Sequence, residues 1–191
     1  MSSDAHRNES PAIKPCLEDM GGDSPVSGKM TCQAGSDLRG AQLARANLEG
    51  ADLRKANLRG ANLAGAFLKG ADLTGANLYE ANLQEADLRR AHLECADLEG
   101  ANLENADLEG ANLERACLYG AYLLHANLED AEMEGANLWG ANLMNACLRG
   151  ANMVGACLND INLDGADLTT AAMGSSWSEG GICGIRKMGS S

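Results

Sequence analysis

Residues 36–175 are one five-residue unit written twenty-eight times with no insertion or deletion. Ala51-Asp52-Leu53-Arg54-Lys55 and Ala111-Asn112-Leu113-Glu114-Arg115 show its form. The third residue is Leu in twenty-five units and Met in three (Met133, Met153, Met173). The first is Ala in twenty-six, with Ser36 and Ile161 as the exceptions, and the second is Asn in twelve and Asp in seven. The fourth and fifth vary, except that the fifth is Gly in fourteen. A strict period of five excludes both ordinary elements. On an α-helix five residues advance by about 500°, or about 140° net, so successive Leu side chains would scatter around the whole circumference. On a straight strand an odd period throws each next Leu onto the opposite face.

A coil resolves the conflict. Ala and Leu lie two apart with a polar residue between them, which is the local alternation of a short strand. The remaining two residues must turn a corner, and Gly at the fifth position supplies the dihedrals a turn asks for. Each unit is then one side of a coil, and the period alone leaves three or four sides open. The repeat resembles the pentapeptide-repeat family, over 140 of the 191 residues. The resemblance implies an all-β fold: a right-handed quadrilateral parallel β-helix, a solenoid of about seven four-sided coils. It also implies that Leu38, Leu43, Leu48 and their successors fill the axis as stacked ladders, with Ala at the neighbouring inward position because the square is narrow. Seven coils at the inter-strand spacing make a rod ~34 Å long.

The flanks are not periodic. Residues 1–35 hold all three prolines (Pro11, Pro15, Pro25) and read as a disordered leader whose last few residues fold over the first coil. In residues 176–191 the apolar side chains are Trp177, Ile182, Cys183, Ile185 and Met188. An open coil end exposes unpaired backbone, so this segment either caps the seventh coil or is a flexible tail, leaving a dimer contact to cover the end. The seven Cys residues form an odd set without close pairing, and no secretory signal or span of ~18 apolar residues is present. These features predict a cytoplasmic protein with no membrane association.

With the core committed, identity lies in the outward positions, where residues twenty apart share a column. The net charge of −12 disfavours direct contact with nucleic-acid phosphate or an anionic membrane. Residues 36–90 hold seven acids and eight bases, whereas 91–135 hold eleven acids against Arg115 alone. The candidate acidic partner surface is Glu94, Asp97, Glu99, Glu104, Asp107, Glu109, Glu114 and Glu134. Glu94, Glu114 and Glu134 stack in one column, where like charges ~5 Å apart in water repel by under ~1 kcal/mol per pair. A second feature is apolar: Tyr119 and Trp139 share one column, Leu124 and Met144 the next, with Tyr122 beside Leu124. These five are the candidate apolar interface, for a protein partner or a homodimer. A third is the departures from Asn/Asp at the second position, notably Phe67, His92, Cys117, Tyr122, Glu132, Cys147 and Cys157.

No catalytic, cofactor or metal site is expected. His6, His92 and His125 are far apart in the repeat, and no nucleophile with a base and orienting group can be named. His92 and Cys95 with Glu94 nearby fall short of the four ligands of a zinc site. The reading is a non-catalytic protein-binding or scaffold module acting through the outer surface of a rigid rod. The alternative comes from the resemblance: some members of the family mimic duplex DNA and bind a type II topoisomerase, DNA gyrase, giving protection from quinolones or peptide toxins. Rod form and negative charge favour that alternative. The eight bases of the first half, and the lack of projecting loops, oppose it.

Overall fold

A computed structural model describes residues 32–174. The second residue of each unit bridges in parallel to the residue twenty positions on, from Asp37 with Asn57 to Asn152 with Ala172. Twenty residues per coil at five per side make the coil four-sided. Coil one is 36–55, coil two 56–75, and so on to coil seven, described through residue 174. Sides one to four are the successive units of each coil; side one holds the units beginning at 36, 56, 76 and every twenty thereafter. The leader (1–31) and tail (175–191) lie outside the described residues. Residues 32–35 do meet the first coil, where Cys32 is buried in the core and the Gly35 N–H donates to the Arg54 carbonyl at 2.7 Å.

The expected strand alternation is reduced to one bridged residue per side, because two of every five residues are taken by the turn. The ladder is nonetheless continuous. Leu58 N–H donates to the Asn77 carbonyl of the next coil (2.7 Å), Gly60 N–H to Tyr79 (2.9 Å), and Asn57 N–H back to Ser36 (2.8 Å). A local bond closes the corner, as when Ala61 N–H donates to the Leu58 carbonyl at 2.9 Å. All twenty-seven fifth-position residues from 40 to 170 have φ between 54° and 71°, thirteen of them not glycine. The corner therefore imposes the left-handed conformation whatever residue stands there, at a cost of roughly 1–2 kcal/mol for a side chain with a Cβ.

Inside, the Leu and Ala of the third and first positions are almost completely buried from coil one through coil six, Ala41 being partly buried, and no polar or charged residue joins them. Each buried Leu contributes about 2–3 kcal/mol of apolar transfer. In the last described coil Leu163, Leu168 and Met173 are only partly buried. Ile161, the one branched aliphatic among the first-position residues, sits in that same coil, where the interior is less confined. Among the described residues no helix is long and apolar enough to cross a membrane.

Two outcomes follow from this packing. Leu93→Ala, in the middle of the stack, should cost ~2–5 kcal/mol, and Leu168→Ala clearly less, read from urea midpoints. Glu85→Gly should stabilise the rod by ~0.5–1 kcal/mol, because glycine removes the left-handed strain and returns part of that gain as backbone entropy.

Candidate functional site

The second position has a local duty that fixes what it can be. All nineteen Asn and Asp residues there accept the backbone N–H of the fourth residue of the same unit on Oδ1, at 3.0–3.4 Å. This is the bond by which Asn and Asp side chains stabilise turns. The sequence shows the preference but not the bond. Residues that depart from Asn/Asp give it up, and five of the seven named above, Cys117, Tyr122, Glu132, Cys147 and Cys157, fall in coils five to seven.

The candidate apolar residues lie across one corner. Tyr119 and Trp139 stand on side one, their ring centroids 6.4 Å apart and tilted by 57°. Tyr122, Leu124 and Met144 stand on side two. Gly120 and Gly140 form the corner between the two sides, and no atom lies within 4 Å of where a Cβ would stand on either. Tyr119, Tyr122 and Trp139 are 46%, 56% and 45% exposed, whereas Leu124 and Met144 are half-buried. Three rings thus carry the patch, with the two aliphatics as its floor. Trp139 Nε1–H donates to Asp160 Oδ2 at 3.0 Å, which fixes the indole edge.

The candidate acidic residues do not gather into one patch. Asp97 and Glu99 are on side one, Glu104 on side two, Asp107 and Glu109 on side three, and Glu94, Glu114 and Glu134 on side four. They form a belt around the rod. The stack of three glutamates is relieved at one end, where Glu94 accepts Asn112 Nδ2 at 2.8 Å and faces His92 Nδ1 at 3.5 Å. Within the described residues no cation lies within 4.0 Å of Glu99, Glu104, Glu109, Glu114 or Glu134.

The first half of the rod is more nearly self-neutralised. Arg39, Arg54 and Arg89 each grip the Asp two residues earlier through two nitrogens at 2.6–2.8 Å. Hydrogen bonding from Arg54 holds the Asp52 carboxyl down at about 2. Arg54 and Arg89 also reach Asp72 (3.7 Å) and Asp107 (3.5 Å) on the next coil. The basic residues counted against a negatively charged role are therefore partly spent on neighbouring aspartates.

Three groupings went unread in the sequence. Asp97, Glu99 and Cys117 can each bring one ligand atom within 4.8 Å of the others. Asp97 already accepts the Glu99 N–H at 3.1 Å, and three donors are short of a tetrahedral set. Arg59 stacks over the Tyr79 ring at 4.4 Å, in the column that continues to Tyr119 and Trp139; that column was legible by counting in twenties. Finally, a depression of about 350 Å³ on side two is lined by Glu80, Asn82, Gly100, Asn102, Glu104 and Tyr122, among others. The two histidines described stand apart, His92 on side four and His125 at the corner of sides two and three.

Comparison with known proteins places this geometry. The family model of pentapeptide repeats matches in eight copies over residues 34–60, 56–94, 91–128 and 121–160. HetL, a pentapeptide repeat protein involved in heterocyst differentiation regulation from the cyanobacterium Nostoc sp. strain PCC 7120, is 35% identical. That match covers 77% of this chain and 79% of HetL, with a TM-score of 0.44. The pentapeptide repeat protein Rfr23 from the cyanobacterium Cyanothece 51142 is 41% identical over 53% of this chain, with a TM-score of 0.42, and the chain spans 63% of its length. A trypsin-treated variant of QnrB1, a plasmid-mediated fluoroquinolone resistance protein, is 21% identical over 76% of this chain and 81% of its own, with a TM-score of 0.54. No curated protein matches significantly. The four-sided coil and the family model agree: the chain belongs to the pentapeptide-repeat family, whose fold is the right-handed quadrilateral β-helix.

Proposed function

We propose that the chain is a non-catalytic protein-binding or scaffold module that engages a partner where sides one and two meet. The observation that carries this reading is the group of three exposed rings, Tyr119, Tyr122 and Trp139, around the open Gly120–Gly140 corner. Large rings on a rigid backbone supply contact area at low entropic cost, which is why Tyr and Trp anchor protein interfaces. Tyr122 stands where an Asn would hold the turn, so local structure gives no reason for it. Pentapeptide-repeat proteins are generally structural or binding modules, and the described concavity is a surface depression suited to a side chain. A second copy of the chain is one candidate partner. The free thiols of Cys95, Cys117, Cys147 and Cys157 fit a reducing, cytoplasmic compartment.

The Tyr119→Ser, Trp139→Asp double variant tests this, since both side chains point outward and neither holds the core. Self-association in sedimentation velocity, or partner recovery in a pull-down, should fall at least ~tenfold, as expected for loss of two anchors. The far-ultraviolet circular dichroism spectrum should stay that of the wild type. Unchanged association in both assays removes the interface at this corner.

A second reading, DNA-like binding to a type II topoisomerase such as gyrase, draws support from the belt of unpaired carboxylates around coils four and five. The likeness to a fluoroquinolone resistance protein, at 21% identity, is one of fold. On this reading the purified protein alters gyrase supercoiling in a salt-sensitive manner, and replacing Glu99, Glu109 and Glu114 together by Lys abolishes the effect. Indifference of gyrase to saturating protein removes it.

A further inference from the structure

The depression on side two is built from groups that suit one kind of ligand. Gly100 at the corner lines it together with Asn82 and Asn102. These two amides are held in place, because their Oδ1 atoms accept the Gln84 and Glu104 backbone N–H groups at 3.1 and 3.0 Å. Glu80 and Glu104 stand at its sides. The stem of Glu80 lies along the rod over Gly100, its Cγ 3.5 Å from where a Cβ would be, in ordinary contact distance. Among the described residues neither carboxylate has a cation within 4.0 Å. The Tyr122 ring lines it between Asn102 and Asn142 and is more than half exposed.

The same rod shows this chemistry already satisfied on side one, two coils before Tyr122. Arg59 lies 4.4 Å over the Tyr79 ring, and the neighbouring Glu80 is the main cause that holds the Tyr79 phenol above its ordinary range. Tyr79 has its cation because the residue one coil earlier in its column is Arg59. The residue one coil earlier than Tyr122 is Asn102. Tyr122 therefore has an exposed ring face, with the Glu104 carboxylate lining the same depression, and no arginine in its own column to stack on it.

We propose that this depression receives an arginine side chain of a basic protein partner, its guanidinium stacked on Tyr122 and paired with Glu104. Arginine fits better than lysine because its planar fork stacks on a ring and pairs with a carboxylate through two nitrogens. The acidic belt, with eleven acids against one base in residues 91–135, draws such a partner from a distance. The inference rests on the protein-binding reading above and narrows it to a partner presenting arginine. It uses side two, whereas the test of that reading altered side one.

The experiment uses the full chain and a synthetic probe: acetylated and amidated Gly-Arg-Gly-Arg-Gly, beside the citrulline version, which has the same shape without the charge. Calorimetry should show the arginine peptide binding, weakening as salt is raised, and the citrulline peptide at least ~tenfold weaker. Amide shifts in nitrogen-15 spectra should concentrate at Gly100, Asn102 and Tyr122. Tyr122→Ala and Glu104→Gln should each weaken binding by ~tenfold, and Glu134→Gln on side four should leave it unchanged. Tyr122 makes no turn bond, so its truncation does not threaten the fold, and the spectra report folding directly. Equal binding of the two peptides, no effect of Tyr122→Ala and Glu104→Gln, or no arginine-peptide binding at millimolar concentration would each overturn the inference. Failure here with loss of association in the Tyr119 and Trp139 variant leaves protein binding standing without the arginine site. Peptide binding as expected with that variant unaltered removes the side-one interface alone.

Discussion

The corner every five residues is the constraint from which the rest descends. A chain that must turn through roughly a right angle after three residues can present only two side chains inward per side, and the interior of the resulting square admits Leu at one and little more than Ala at the other. The turn is closed by the bond from the next Ala N–H to the Leu carbonyl, and it leaves the fifth residue in the left-handed region without exception. Thirteen residues with a Cβ accept that conformation, so its cost is outweighed by the ladder and the core on either side of it. Local preference yields here to packing.

This explains which parts of the fold were legible. The period and the Ala/Leu pair could be satisfied by a coil and by neither ordinary element, and the resemblance to the family settled three sides against four. The left-handed fifth position was legible only where it is Gly. Lys55, Glu85 and Cys95 have no chemistry that announces φ > 0; they adopt it because the units around them do. The Asn/Asp preference read as outward polarity, whereas its purpose is a bond to the fourth N–H, invisible until the turn has a geometry. Trp177 and Ile185 lie outside the described residues.

On the surface, arithmetic by twenties made the columns readable, and with them the Tyr119–Trp139 stack. It gave no guide to which charges would find partners. Asp37-Leu38-Arg39, Asp52-Leu53-Arg54 and Asp87-Leu88-Arg89 each close an ion pair within one side, so counting bases overstated the positive character of the first half. The acids of residues 91–135 already read in the sequence as a belt about two coils wide. In space each successive unit faces a quarter-turn further round, and the acids disperse over four sides.

A rod of this kind separates the residues that hold it from those that can act. First and third positions are inside, the fifth is bound by its dihedral, and the second is tied to the turn wherever it is Asn or Asp. Only the fourth is unconstrained by structure. A functional residue at the fourth position therefore costs the fold almost nothing, which makes Tyr119 and Trp139 weak evidence taken singly. A large residue at the second position is different, since it forgoes a bond to the fourth N–H worth about 1 kcal/mol. Tyr122 makes that sacrifice in the middle of the rod, between Asn102 and Asn142, which both keep the bond. The ring does nothing for the turn, and it lines the same depression as Glu104, which is why the proposed site is centred on it.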